Sequence, residues 1–213
     1  MDTLLFGASG RIGQRVATEL LSRGHRVTGV SRSGSVDGVE DEDFVAVAGD
    51  ARDADDVTKL ATGHDAVASA LGPSGEEDPA VLPEMMATVV EGMERAGVER
   101  LVWTGGAGGL KVGPDTRLVE TDEFPEEWEA LAREAIDAYD VLEAEGDDLR
   151  WTYLAPAAMI EPGERTGDYR TAAGELVADE DGESYISMED FAVALADELE
   201  EGNAIHTYLG TGY

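Results

Sequence analysis

The chain has 213 residues, with 47 Asp and Glu against 15 Lys and Arg, a formal charge of −32. An apolar share of 42% is enough to bury an α/β core in one domain and argues against an acidic disordered chain. No basic patch for a nucleic-acid backbone forms on such a surface, and a chain without cysteine has neither disulfides nor thiolate chemistry.

The first element predicted is a buried strand at Leu4-Leu5-Phe6, which runs into Gly7-Ala8-Ser9-Gly10-Arg11-Ile12-Gly13. Ile12, Val16, Ala17, Leu20 and Leu21 then recur at helical spacing, and Gly24 ends that helix. Three glycines between a strand and a helix suit a pyrophosphate site. The first permits a tight turn, the second lets backbone approach phosphate, and the third packs helix against strand. The helix N-terminus adds unpaired N–H groups and a partial positive charge. Gly7, Ser9, Gly10, Arg11, Ile12 and Gly13 are therefore expected to bind a dinucleotide.

A second strand, 25–30, ends at Ser31-Arg32-Ser33. This strand end faces the adenosine ribose in dinucleotide folds, where an acid would take the 2′-hydroxyl of NAD. Arg32 stands there instead, and a guanidinium suits a 2′-phosphate, so NADP is expected ahead of NAD, with Arg11 helping from the other side. A polar loop leads to a third strand, 44–48, then Gly49-Asp50-Ala51-Arg52-Asp53 and a short helix over 55–62. A fourth strand, 66–72, is expected beside the first, across the topological switch point. Its small end residues Ala70, Leu71 and Gly72 leave room for the nicotinamide ribose. Residues 72–78 read as a flexible polar loop, and Asp78-Pro79 as a helix start with Asp78 the N-cap. Met85, Met86, Val89, Val90 and Met93 form the buried stripe of that helix, its methionines core filler rather than cofactor contacts.

The fifth strand, 100–104, ends at Thr104, the hydroxyl best placed to meet a nicotinamide or substrate. Gly105-Gly106-Ala107-Gly108-Gly109 after it reads as an open floor for a flat ring. Residues 112–123 read as an acidic loop. A long helix opens at Pro125 with Trp128, Leu131, Ala132, Ala135, Ile136, Tyr139 and Leu142 on one face and ends at Gly146. A sixth strand, 149–154, a turn-rich segment, 162–170, a helix with Ser187 and Asp190 as its capping box, and a final strand, 205–213, complete the chain. The expected class is a Rossmann-like, doubly wound parallel sheet with helices on both faces. It forms a single domain, 1–213, with residues from about 155 onward completing the substrate side. No His/Asp metal spacing stands out, and His25, His64 and His206 read as structural.

The glycine spacing resembles that of extended and atypical short-chain dehydrogenases. Together with Gly105-Gly106-Ala107-Gly108, Ala155-Pro156-Ala157, the stretch from Pro162 to Arg170 and Ile186-Ser187-Met188-Glu189-Asp190-Phe191-Ala192, it resembles the NADH-flavin reductases, relatives of biliverdin reductase B and NmrA-like proteins. The resemblance implies a nicotinamide cofactor, flavin as substrate rather than bound group, and an adenine contact for an acid after the third strand, at Asp50 and Ala51. The Tyr-x-x-x-Lys dyad of alcohol and ketone dehydrogenases is absent, since Tyr139 is followed four residues on by Glu143 and Tyr153 by Ala157. No catalytic side chain is assigned. The expected activity is hydride transfer from NAD(P)H to flavin or a similar flat small-molecule acceptor. The alternative is a non-catalytic NADP sensor like the NmrA-like proteins. With no basic-then-apolar leader and no membrane-length apolar run, a cytoplasmic protein is expected. The acidic excess resembles proteins of salt-accumulating halophiles.

Overall fold

A computed structural model describes residues 1–72 and 78–213. Most of the polar loop read at 72–78 therefore lies outside the described residues. In chain order the elements are β1 (Asp2–Phe6), α1 (Arg11–Ser22), β2 (Arg26–Ser31), β3 (Phe44–Ala48), α2 (Ala54–Ala61), β4 (Ala66–Ser69), α3 (Val81–Ala96) and β5 (Arg100–Thr104). There follow β6 (Lys111–Gly113), β7 (Thr116–Arg117), α4 (Glu126–Glu145), β8 (Arg150–Ala155), β9 (Met159–Glu161), β10 (Arg170–Ala173), β11 (Tyr185–Ser187), α5 (Met188–Glu201) and β12 (Thr207–Gly212).

Eight strands form one sheet in the order β10-β12-β8-β5-β4-β1-β2-β3, all parallel except β10 against β12. The chain builds β1, β2 and β3 outward, then returns to lay β4 on the other side of β1. That reversal is the switch point of a doubly wound sheet, and ligands bind outside the strand carboxyl ends there. Successive strand residues face opposite layers, which is why the central strands are apolar at nearly every position. Leu4, Phe6, Val67, Leu101, Trp103 and Tyr153 pack toward α2, α3 and α4. Leu5, Ala68, Val102 and Leu154 pack toward α1 and α5, against Val16, Leu20, Phe191 and Leu195.

Several boundaries differ from expectation. Asp78 accepts from Ala80 N at 3.1 Å within a turn, and α3 begins at Val81. Residues 112–123 hold the β6–β7 hairpin and a 3₁₀ turn, a pairing too short to show periodicity. At α5 only half of the capping box forms. Ser187 Oγ accepts from Asp190 N, but the Asp190 carboxylate turns to Thr166, Gly167 and the Tyr213 hydroxyl. The segment 162–170 closes the fold over α1 and α5. Arg165 grips the buried Glu19 through Nε and Nη2 at 2.7 and 2.8 Å, and Arg23 Nε joins the same carboxylate at 2.8 Å.

Candidate functional site

The glycine turn joins β1 to α1 at the switch point. Gly7 has φ +74°, and a Cβ there would stand 2.4 Å from Ala70 O on the neighbouring strand end. Gly13 lies inside the first turn of α1, and its Cβ would stand 2.1 Å from Gly7 O. The third glycine thus admits the turn's own carbonyl, drawing the helix end against the strand. Gly10 is the N-cap and supplies no side-chain hydrogen bond to the first-turn N–H groups, and no acid occupies that turn. These donors, with the helix dipole behind them, are disposed to receive an anion.

A cleft of 270 Å³ lies over this turn. Of the residues expected at a dinucleotide, Gly7, Ser9, Gly10, Arg32, Asp50, Ala51, Ala70, Leu71 and Gly72 line it together, drawn from the ends of β1, β2, β3 and β4. Gly13 is buried behind the turn, and Ile12 packs into the layer of α1 and α5. Arg11 is exposed at the helix start, outside the lining, its carbonyl accepting from Arg15. Thr104 is also outside the lining. It ends β5, one strand beyond the cleft, and its Oγ1 is buried with no partner among the described residues.

Phe6, Val30, Ser31, Gly49, Arg52 and Met85 line the cleft without having been expected there. Arg52 grips Asp50 through Nε and Nη2 at 3.0 Å each and holds that carboxyl below its ordinary range. The signal was present, since Arg52 lies two residues beyond the acid, on the same loop. Asp53, by contrast, caps α2, accepting from Asp55 N and Asp56 N. Ser31 also lines the cleft, with Met85, so one methionine of the α3 stripe is both core and cleft wall.

Along the same sheet edge, over β5 and β8, lies a second cavity of 510 Å³. This is within the about 300–1,000 Å³ usual for small-molecule sites. Gly106, Ala107 and Gly108 form one wall, Pro156 to Ile160 another, and the N-terminal half of α4 the third. Trp128 is 50% exposed and Leu131 40%, so the upper α4 stripe lines this cavity and only its lower part enters the core. Of the glycine run after β5, Gly106, Ala107 and Gly108 border the open cavity, whereas Gly105 and Gly109 do not. A Cβ at Gly105 would stand 2.0 Å from the Tyr153 ring, at Gly108 2.7 Å from Ala132 Cβ, and at Gly109 2.6 Å from the Tyr208 hydroxyl. The run is glycine-rich because side chains fill the space beneath it, and Tyr208 donates to Gly106 O from below.

The tyrosines offer no dehydrogenase dyad. Tyr153 is buried and donates to Ala135 O at 2.6 Å, with its pKa pushed well up by burial. Tyr139 donates to Glu143 at 2.9 Å, and burial, then Glu143, raises it to about 12. Both shifts oppose the lowering that a neighbouring lysine would supply. The histidines are structural: His25 meets Glu200, His64 meets Thr28 and His206 meets Leu149 O. Among the described residues no cluster of metal-ligating side chains occurs, and no helix is long and apolar enough to cross a membrane.

A parallel sheet with its glycine turn at the switch point defines a Rossmann-fold protein of the dinucleotide-binding class. Residues 7–202 match the family described as NAD(P)H-binding, and the chain belongs to that family. It is 35% identical over 202 residues to the uncharacterized protein YwnB of Bacillus subtilis, covering 92% of this chain and 91% of that one. Among solved structures, a "putative exported protein" from Burkholderia pseudomallei is 43% identical, with a TM-score of 0.91 over all of both chains. SP1627 of Streptococcus pneumoniae, described as "a putative NADH-flavin reductase", is 33% identical with a TM-score of 0.83, over 100% of this chain and 99% of that one. The fold is also shared by a short-chain dehydrogenase/reductase from Veillonella parvula in complex with NADP, 19% identical with a TM-score of 0.76.

Proposed function

We propose that the protein is an NAD(P)H-dependent reductase, NADP the preferred dinucleotide, that passes hydride to flavin or a similar flat acceptor. The observation that carries this reading is the adjacency of two sites on one sheet edge, a glycine-turn cleft over β1, β2 and β4 and an apolar cavity over β5 and β8. Neighbouring strands lie about 4.8 Å apart, so the cavity begins one strand beyond Ala70 and Leu71. When bound, the reduced dinucleotide would supply the hydride, and the reduced acceptor takes up its proton from solvent after it leaves the apolar walls.

This chain's own part is to bind, orient and exclude water. The first-turn N–H groups of α1 receive the pyrophosphate, unobstructed at Gly10. Arg32, just past the end of β2, offers its guanidinium group to a 2′-phosphate, and Arg52, paired with Asp50 on the loop after β3, borders the same end of the cleft. Thr104 ends β5, the strand between those that carry the cleft and the cavity, and lines neither of them. The apolar walls keep water from the reacting face.

The test is oxidation of NADPH and NADH by the purified protein in molar KCl, with FMN and riboflavin as acceptors. Saturable turnover, faster with NADPH, is the expected result. Tight cofactor binding without turnover for any acceptor would refute the reductase and leave a dinucleotide sensor.

A further inference from the structure

The cavity over β5 and β8 has a chemical character that narrows what it takes. Its polar side chains are Thr121 and Glu123; the rest of its wall is apolar, and none of its lining side chains is basic among the described residues. Trp128, Leu131 and Met159 gather at it while 50%, 40% and 48% exposed, a concentration of large apolar surface unusual on a chain of charge −32. A flat ring seated against Trp128 and Phe124 would be held by apolar contact and stacking. A phosphate or carboxylate on that ring would lose hydration with no cation to receive it, and would meet the Glu123 carboxylate.

We infer that this cavity binds uncharged, flat ring compounds and discriminates against their anionic counterparts, phosphorylated flavins included. The inference rests on the reductase reading for its place in catalysis, but not for the binding itself. Charge and desolvation set the selection, so the phosphate-free member of any pair sharing one ring is the better ligand.

Calorimetric titration of the cofactor-free protein in molar KCl tests this with menadione, riboflavin and FMN as probes. Menadione is expected to bind at least about tenfold tighter than FMN, with riboflavin also ahead of FMN. Leu131→Asp, at an exposed position, is expected to weaken menadione about tenfold. Glu123→Lys is expected to strengthen FMN several-fold and leave menadione nearly unchanged. FMN binding as tightly as menadione, or an FMN affinity indifferent to Glu123→Lys, overturns the inference. So does failure of menadione to bind. The two readings separate cleanly. Selective menadione binding without NADPH oxidation removes the reductase and keeps the cavity, whereas FMN turnover exceeding menadione turnover does the reverse.

Discussion

Gly13→Ala isolates the close approach on which the glycine-turn cleft depends. By helix propensity alone the change stabilises α1 by about 0.8–1.0 kcal/mol. The added Cβ, however, would stand 2.1 Å from Gly7 O and 2.8 Å from Gly7 C, and both atoms are backbone. Restoring ordinary contact requires the helix and the turn to part by about 1.3 Å, an overpacking that costs about 1–3 kcal/mol, here at the upper end because no rotamer can yield. The expected net loss is about 1–2 kcal/mol, or a Tm lowered by about 2–8 °C for a chain of this length. The larger effect falls on binding, because the displaced turn carries Gly7 and Gly10. Gly24→Ala is the companion variant. Its φ is +81°, and nothing lies within 4 Å of the new Cβ. It should cost about 1–2 kcal/mol from the left-handed backbone alone and leave NADPH affinity intact. Thermal melts and NADPH titrations in molar KCl check both variants. A Gly13→Ala protein as stable as the wild type, with unchanged NADPH affinity, would refute the packing account of the third glycine.

Arg32→Ala is expected to weaken NADPH about tenfold or more and NADH far less, the loss of a charge-assisted contact worth about 1.5–3 kcal/mol. Equal effects on the two cofactors would remove its role at the 2′-phosphate. Folding should depend on salt, because at molar concentration the Debye length falls to about 3 Å and the self-repulsion of charge −32 is screened. A circular-dichroism melt equally high in dilute buffer would count against this. Glu19 has its carboxyl pKa lowered, first by the hydrogen bond from Arg165 and then by Arg23, against the opposing effect of burial. A depressed folded pKa means its contribution is present above the ordinary carboxylate value and is lost as pH falls through the folded one. Glu19→Gln should therefore cost about 1.5–3 kcal/mol at neutral pH and flatten the acid limb of a stability–pH profile. An unchanged acid limb would show that the carboxylate is not a linkage group.

Much of the fold was legible because its signals are local. The strand at 44–48, the α3 stripe from Met85 to Met93 and the stop at Gly24 follow from apolar spacing and from turn chemistry a few residues long. The glycine turn was legible for the same reason, since strand, turn and helix are contiguous. Short pairings such as β6–β7 and β9–β11 left no such trace. Their strands are two or three residues long, and their partners are chosen by the surrounding surface.

The sequence by itself determined the doubly wound architecture, the position of the glycine turn, the missing tyrosine–lysine pair and the acidic surface. Each is carried by composition or by residues adjacent in the chain. Only the tertiary structure decided which face each helix covers, that Arg52 and Met85 join the cleft, and that Arg165 reaches Glu19 across 146 residues. It also decided that Gly105 and Gly109 accommodate Tyr153 and Tyr208 while Gly106 and Gly108 border the cavity. The same holds for the apolar cavity. An amphipathic stripe shows that Trp128 and Leu131 share a side with Ala135, but not how far the sheet extends beneath them. Burial is a property of what packs opposite, and here the sheet edge stops short and leaves that end of the stripe open.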